Sequence, residues 1–158
     1  MSKAQEQIAS ASVVADILEL RLDLLDAPDL DSLLDLASLP VIVTNRSKID
    51  GGQFKGPDGD RLQRLRGALR AGADYVDVEV STTREHLQLF LEEEDPSKII
   101  VSYHDFSHTP EDFNPLYDAM CEMPGDIIKI VTYARDLSDN LKMFDLLKRA
   151  KQENQKLI

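Results

Sequence analysis

The 158-residue chain contains one cysteine, Cys121, and no tryptophan. A single cysteine excludes an intramolecular disulfide framework and a multi-cysteine zinc site. Basic residues are the scarcer charge: 18 Lys and Arg stand against 29 Asp and Glu, for a formal net charge of −11. That balance argues against non-specific nucleic-acid binding, which needs a basic surface. No apolar run approaches the roughly 20 residues that span a bilayer. The opening MSKAQEQIAS lacks the apolar core of a secretory signal. The expectation is a cytoplasmic α/β protein with no nucleic-acid or membrane partner. Its 42% hydrophobic content suffices for a packed core.

Apolar runs alternate with amphipathic stretches along the whole chain. The runs are Ile17–Leu22, Val41–Thr44, Tyr75–Val80, Ile99–Tyr103 and Ile127–Thr132. Each gap has room for a helix and two loops, the rhythm of a parallel βαβ sheet. Helical spacing links Ala4, Ile8, Ala11 and Ala15, then Leu30, Leu33, Leu34 and Ala37, then Leu62, Leu65 and Leu69, with Gly72 as a C-terminal cap. Thr82 and Glu85 form a capping-box pattern ahead of Leu87, Phe90 and Leu91. Asn114-Pro115 reads as an N-cap followed by a first-turn proline. Met143, Leu146, Leu147 and Ala150 give a last helix its buried stripe. The glycine-rich stretch 51–59 reads as a loop, and Lys156-Leu157-Ile158 as the start of a further strand.

The strands carry an unusual amount of charge. Residues two apart on a strand share a face. Glu19, Arg21 and Asp23 therefore oppose Leu18, Leu20 and Leu22, while Asp77 and Glu79 oppose Val76, Val78 and Val80. Ser102 and His104 share a face, and Lys129 stands within IIKIV. Of the five runs only Val41–Thr44 lacks an ionisable group in it or at its end. Strands of an open parallel sheet are normally covered on both faces and nearly all apolar, and buried charge is expensive unless paired. A closed barrel resolves the conflict. Its outer face packs on helices, and its polar face lines the lumen and the C-terminal mouth, where barrel enzymes keep their sites.

Several side chains then become candidates. Burial strips an amine of the water that favours its ammonium form, and a neutral amine can attack a ketone to form a Schiff base. Lys129 fits that role, or alternatively a buried ion pair with Glu79 or Asp77. His104 ends its strand beside Glu79, and a carboxylate against one ring nitrogen would fix the tautomer of a general acid/base. A metal site from His104, Asp105 and Glu79 competes with this, without a supporting ligand spacing. Glu19, Arg21 and Arg46 suit an anionic, hydroxylated substrate, or form a structural network. Arg61, Arg64, Arg66 and Arg70 read as a solvated helix face, and residues 92–95 as a solvated acidic run. His86 and His108 read as surface residues, and Cys121 as a small core residue.

Taken together, ADILELRLDLL at 15–25, VIVTNRSKIDGGQF at 41–54, GADYVDVEV at 72–80, IIVSYHDFSHTP at 99–110 and GDIIKIVTYARDLSD at 125–139 resemble type I 3-dehydroquinate dehydratase. The resemblance implies an eight-stranded (β/α)8 TIM barrel that uses no metal or nucleotide cofactor. It implies a lyase of the shikimate pathway, acting in aromatic amino acid biosynthesis on 3-dehydroquinate as its small-molecule substrate. Lys129 matches the lysine that forms an imine with the C3 ketone. His104 matches the group that takes the C2 proton and protonates the departing C1 hydroxyl, a syn elimination. Glu79 matches the carboxylate that orients this histidine, and Glu19, Arg21 and Arg46 match residues that hold the substrate.

Against that family pattern, residues 1–158 read as a partial domain with five to six strands. The first strand and the last two are missing, and with the last two go an arginine and a glutamine that bind the substrate carboxylate. A homodimer, and a longer parent chain fused to shikimate dehydrogenase, are partner arrangements the resemblance allows. Two other readings stay open on sequence: an inactive fragment or pseudoenzyme that needs complementary barrel segments, and another imine chemistry such as aldol cleavage.

Overall fold

The computed structural model describes residues 3–91, 95 and 98–158. Six strands form one sheet in the order β1-β2-β3-β4-β5-β6. They are β1 (Leu18–Arg21), β2 (Val41–Thr44), β3 (Tyr75–Glu79), β4 (Ile99–His104), β5 (Ile127–Val131) and β6 (Lys156–Leu157). All five neighbouring pairs are parallel. The helices are α1 (Lys3–Ala11), α2 (Leu30–Leu36), α3 (Asp58–Arg70), α4 (Arg84–Leu91), α5 (Asn114–Cys121) and α6 (Leu137–Gln152). A single 3-10 turn, Leu22–Leu24, follows β1. Among the described residues β1 and β6 each have one strand neighbour, so the sheet is not closed.

Strand register sorts the side chains onto two faces. Val43, Val76, Val78, Ile99, Val101, Ile128 and Ile130 pack with Leu62, Leu65, Ala68, Leu87, Phe90, Tyr117, Met120, Leu146 and Ala150 of the helices in one core. Burying a side chain of this size contributes about 1.5–3 kcal/mol, so this face dominates the fold's stability. The opposite face holds a small cluster of Ile42, Ile100 and Ile127 with Tyr75 against it. Two residues further along each strand that face turns polar: Thr44 pairs in register with Asp77, and Ser102 with Lys129. Helices on one face and charge on the other is the arrangement expected of a barrel wall.

Local signals explain most element ends. Gly72 has φ +104°, its N–H donates to Leu69 O, and Ala73 N–H donates to Ala68 O, a Schellman closure of α3 that favours glycine. Asp29 caps α2 by accepting from Ser32 N–H, and Asp136 caps α6 through Ser138 N–H. α5 starts one residue earlier than the Asn114 cap pattern implies, with Pro115 still in its first turn. α3 begins at Asp58, so the expected 51–59 loop ends two residues early.

Other expectations need correction. Thr83, not Thr82, precedes α4: its Oγ1 lies 2.8 Å from His86 Nδ1, while Thr82 Oγ1 accepts from Arg61. Leu87 and Phe90 are buried as expected, whereas the side chain of Leu91 and residues 92–94 lie outside the described residues. Leu146 and Ala150 form the buried stripe of α6, with Leu147 turned outward. Cys121 is exposed, because Tyr117 and Met120 take the buried face of α5 and the next residue is rotated off it. Arg61 is not on a solvated face: it is 1% exposed. No helix among the described residues is long and apolar enough to cross a membrane.

Candidate active site

The polar face converges on Asp77, which is fully buried. Its Oδ2 accepts from Arg46 Nη2 at 2.8 Å and from Lys129 Nζ at 3.2 Å, and its Oδ1 accepts from Ser102 Oγ. β3, β4 and β5 supply three of these groups: Ser102 and Lys129 are register partners, and Asp77 stands two residues before Glu79, the partner of Ser102. Arg46 follows β2, where the chain leaves the sheet. A carboxylate with four acceptor positions can serve all three donors at once. This is how a buried charge survives here.

Arg46 is 3% exposed and makes the most connections. Its Nη1 donates to Ser102 Oγ at 2.8 Å, lies 3.2 Å from His104 Nδ1, and sits 3.6 Å from Glu79 Oε1. A guanidinium only donates, so His104 Nδ1 accepts, and the neutral ring carries its proton on Nε2. The imidazole is pushed down to about 4. Burial is the largest cause, the Arg46 charge adds to it, and Lys129 contributes further, while Asp77 and Asp50 oppose it. His104 is therefore an uncharged, proton-accepting ring at neutral pH. Phe106 stacks on it with centroids 5.8 Å apart.

Lys129 Nζ also reaches Glu19 Oε2 at 3.5 Å, and its side chain retains 14% exposure. Glu19 Oε1 accepts from Thr44 Oγ1 at 2.6 Å. The ion-pair arrangement that the sequence left open for Lys129 is thus present, with Asp77 and Glu19 as partners in place of Glu79. Arg21 is half-buried, and its Nε and Nη2 fork onto Asp23 at 2.9 and 2.7 Å. Asp23 also accepts from Arg46 N–H at 3.2 Å and Gln53 N–H at 3.0 Å. Burial opposes its charge, but the Arg21 fork and these amides outweigh burial and hold the carboxyl below its ordinary range.

The expected contact between Glu79 and His104 is not made, because Arg46 stands between them. Glu79 Oε2 accepts from Arg61 Nη1, and Oε1 accepts from Ser47 N–H at 3.2 Å. Burial raises this carboxyl to about 6, against the lowering influence of Arg61 and Arg46. Sequence inspection also passed over Asp50, whose charge acts on the His104 ring. Its Oδ2 accepts from Ser47 Oγ at 2.6 Å and Ser81 Oγ at 2.7 Å. The loop that carries Asp50 needs its glycines. Gly51 has φ +82° and lies against the Phe106 ring, and a Cβ on Gly52 would fall 2.1 Å from Arg46 O.

The three groups of the metal reading look elsewhere. Asp105 Oδ1 accepts from Ser107 N–H, Ser107 Oγ and His108 N–H, Glu79 is taken by Arg61, and His104 by Arg46. Arg64 and Arg70 are exposed as expected, as are His86 and His108.

A parallel α/β wall with helices on one face and Lys129, Arg46 and His104 gathered near one buried aspartate on the other defines the class: part of a (β/α) barrel. The sequence profile of the Type I 3-dehydroquinase family matches residues 1–158, and the chain belongs to that family. A 3-dehydroquinate dehydratase of Desulfotalea psychrophila is 34% identical over 149 residues, covering 91% of this chain and 66% of the relative. A bifunctional 3-dehydroquinate dehydratase/shikimate dehydrogenase of Arabidopsis thaliana is 36% identical over 144 residues, covering 86% of this chain and 24% of the relative. The crystal structure of 3-dehydroquinate dehydratase from Geobacillus kaustophilus superposes with a TM-score of 0.82 at 24% identity, over 98% of this chain and 65% of that one. At that identity the likeness speaks for the fold. The chain thus spans about two thirds of the length of single-function relatives such as the Desulfotalea protein.

Proposed function

We propose that the site dehydrates 3-dehydroquinate to 3-dehydroshikimate through a Schiff base on Lys129. In this reading Lys129 Nζ, after yielding a proton toward Asp77 Oδ2, adds to the C3 ketone, and water leaves to give the iminium. The iminium is a stronger electron sink than the ketone, so the C2–H bond becomes acidic. Arg46 Nη1 lets go of His104 Nδ1, the ring nitrogen without a hydrogen, and that lone pair takes the C2 proton and leaves an enamine. The enamine's electron pair then expels the C1 hydroxyl, which departs as water with the proton His104 holds. Both transfers use one ring, so the elimination is syn. Hydrolysis of the remaining imine returns the amine, with one water lost overall.

The observation that carries this reading is the short path Lys129–Asp77–Arg46–His104, four groups on one polar face linked by contacts of 3.2 Å or less. Glu19, Arg21 and Arg46 are the groups assigned to the substrate's oxygens, and Glu79 acts on the ring only through Arg46. The test is the absorbance of the conjugated product. Chain incubated with 3-dehydroquinate forms it, and His104→Ala loses roughly 10²–10⁴-fold in kcat, the range of one acid/base group. A folded His104→Ala variant with parental kcat overturns the assignment.

The open edges at β1 and β6 favour a second reading. In it the same residues act only when further barrel strands, supplied from outside residues 1–158, complete the substrate pocket. Turnover that appears only after such segments are added supports this second reading, and turnover by residues 1–158 alone rejects it.

A further inference from the structure

We propose that Arg61 is a positioning residue for this reaction, acting through Glu79 and Arg46 to set the proton placement of His104. The proposal rests on the dehydratase reading above.

Arg61 sits in the first turn of α3 and turns inward, on the same helix face as Leu65 and Ala68, four and seven residues on. An apolar residue would fill that position at lower cost, because a guanidinium and a carboxylate both lose hydration there. The structure instead gives each of the three guanidinium nitrogens of Arg61 an acceptor. Nη1 donates to Glu79 Oε2, Nη2 to Thr82 Oγ1 at 2.6 Å, and Nε to Asp58 Oδ1 at 3.0 Å. Thr82 is spent on this contact while Thr83 takes the helix-capping position. Among the described residues the Arg61 side chain bonds to Asp58, Glu79 and Thr82 and not to His104, Asp77 or Lys129, so any effect on the chemistry must be relayed.

Glu79 is the relay. Arg61 holds its Oε2, which leaves Oε1 for Ser47 N–H at 3.2 Å and, more loosely, for Arg46 Nη1 at 3.6 Å. That same Nη1 rests closer to His104 Nδ1, at 3.2 Å. Arg46 Nη1 therefore stands between a carboxylate and an imidazole, and the strength of Glu79's pull decides which it favours. With Arg61 in place, Glu79 is already paired and leaves Arg46 on the ring. Without it, Glu79 in its charged form has one guanidinium left and draws Arg46 away. The groups facing His104 are then Lys129 from β5, Asp77 from β3 and Asp50 from the 47–54 loop, with the cation of Arg46 withdrawn. Protonation of the ring becomes easier, and the ring loses the donor that fixes its tautomer and its orientation.

The experiment compares parent, Arg61→Met and Arg61→Lys. It reads nitrogen-15 shifts of the His104 ring across pH, together with kcat and KM for 3-dehydroquinate. Arg61→Met should raise the His104 midpoint by about one unit or more, and lower kcat roughly tenfold or more with KM within about twofold. Arg61→Lys keeps the charge but loses the second arm to Thr82. It should move both readouts the same way by less, and it keeps the test open if the methionine variant unfolds. A folded variant of either kind with a parental His104 midpoint and tautomer overturns the proposal, even if it melts earlier. If the parent fails to turn over 3-dehydroquinate, the dehydratase reading falls on its own, and the His104 titration still decides the role of Arg61.

Discussion

Arg46 and Lys129 meet on a single atom: Asp77 Oδ2 lies 2.8 Å from Arg46 Nη2 and 3.2 Å from Lys129 Nζ. Two cations on one buried carboxylate give that aspartate both a structural and a chemical consequence. It compensates the desolvation of Arg46, and it holds the lysine at a fixed distance from the group that contacts His104.

The structural part predicts a large effect for Asp77→Asn. Removing one partner of a buried ion pair leaves the other uncompensated, at a cost of about 3–5 kcal/mol. Here Arg46 has only the distant Glu79 oxygen as a substitute. Urea unfolding of the variant should show a loss of that size, with an unchanged slope. A loss below about 1 kcal/mol would mean that solvent reaches Arg46 and the site is not dry.

The His104 and Glu79 titrations predict opposite effects of pH on stability. Glu79 is raised from 4.5 to about 6 on folding, so its contribution is present below pH 4.5 and is lost as pH rises through about 6. That loss amounts to roughly 2 kcal/mol. His104 is lowered from 6.5 to about 4, so its contribution is present above pH 6.5 and is lost as pH falls through about 4. The ring keeps some solvent contact, which reduces the size of that loss. Between pH 4.5 and 6 the two oppose each other. Unfolding free energy measured from pH 4 to 7 should rise with pH more steeply in Glu79→Gln than in the parent. Equal slopes in the two proteins would contradict the buried state of Glu79.

Gly52 predicts a backbone route to the same site. A Cβ there meets Arg46 O at 2.1 Å, and a carbonyl cannot rotate away as a side chain can. Gly52→Ala should cost about 1–3 kcal/mol as the 47–54 loop shifts, and should lower kcat because Arg46 moves with it. Parental kcat together with parental stability would show that the loop can give way without disturbing Arg46.

Much of this was legible in the sequence because the strands are short and their two faces differ so sharply. The runs at Val41–Thr44, Tyr75–Val80 and Ile127–Thr132 bracket the observed strands, and alternation within each strand grouped Glu19 with Arg21, Asp77 with Glu79, and Ser102 with His104. Pairing across strands was less legible. Alternation says which face Glu79 takes, but not that Arg46 would come between it and His104, since Arg46 follows its strand and its direction depends on the loop. Arg61 was misjudged because arginine is usually solvated. The available signal was its spacing of four and seven from Leu65 and Ala68, which sets it on the buried face of α3. Asp50 was hidden inside a glycine-rich stretch, where no periodicity ranks one residue above another.

The most direct measurement is borohydride reduction of the protein in the presence of 3-dehydroquinate, followed by peptide mass mapping. The account predicts substrate-dependent inactivation and a reduced adduct on the peptide that carries Lys129, absent in Lys129→Ala. His104→Ala should still yield it, because the imine forms before the proton is moved. A folded, substrate-exposed protein with no adduct, or with the adduct on another lysine, would contradict it.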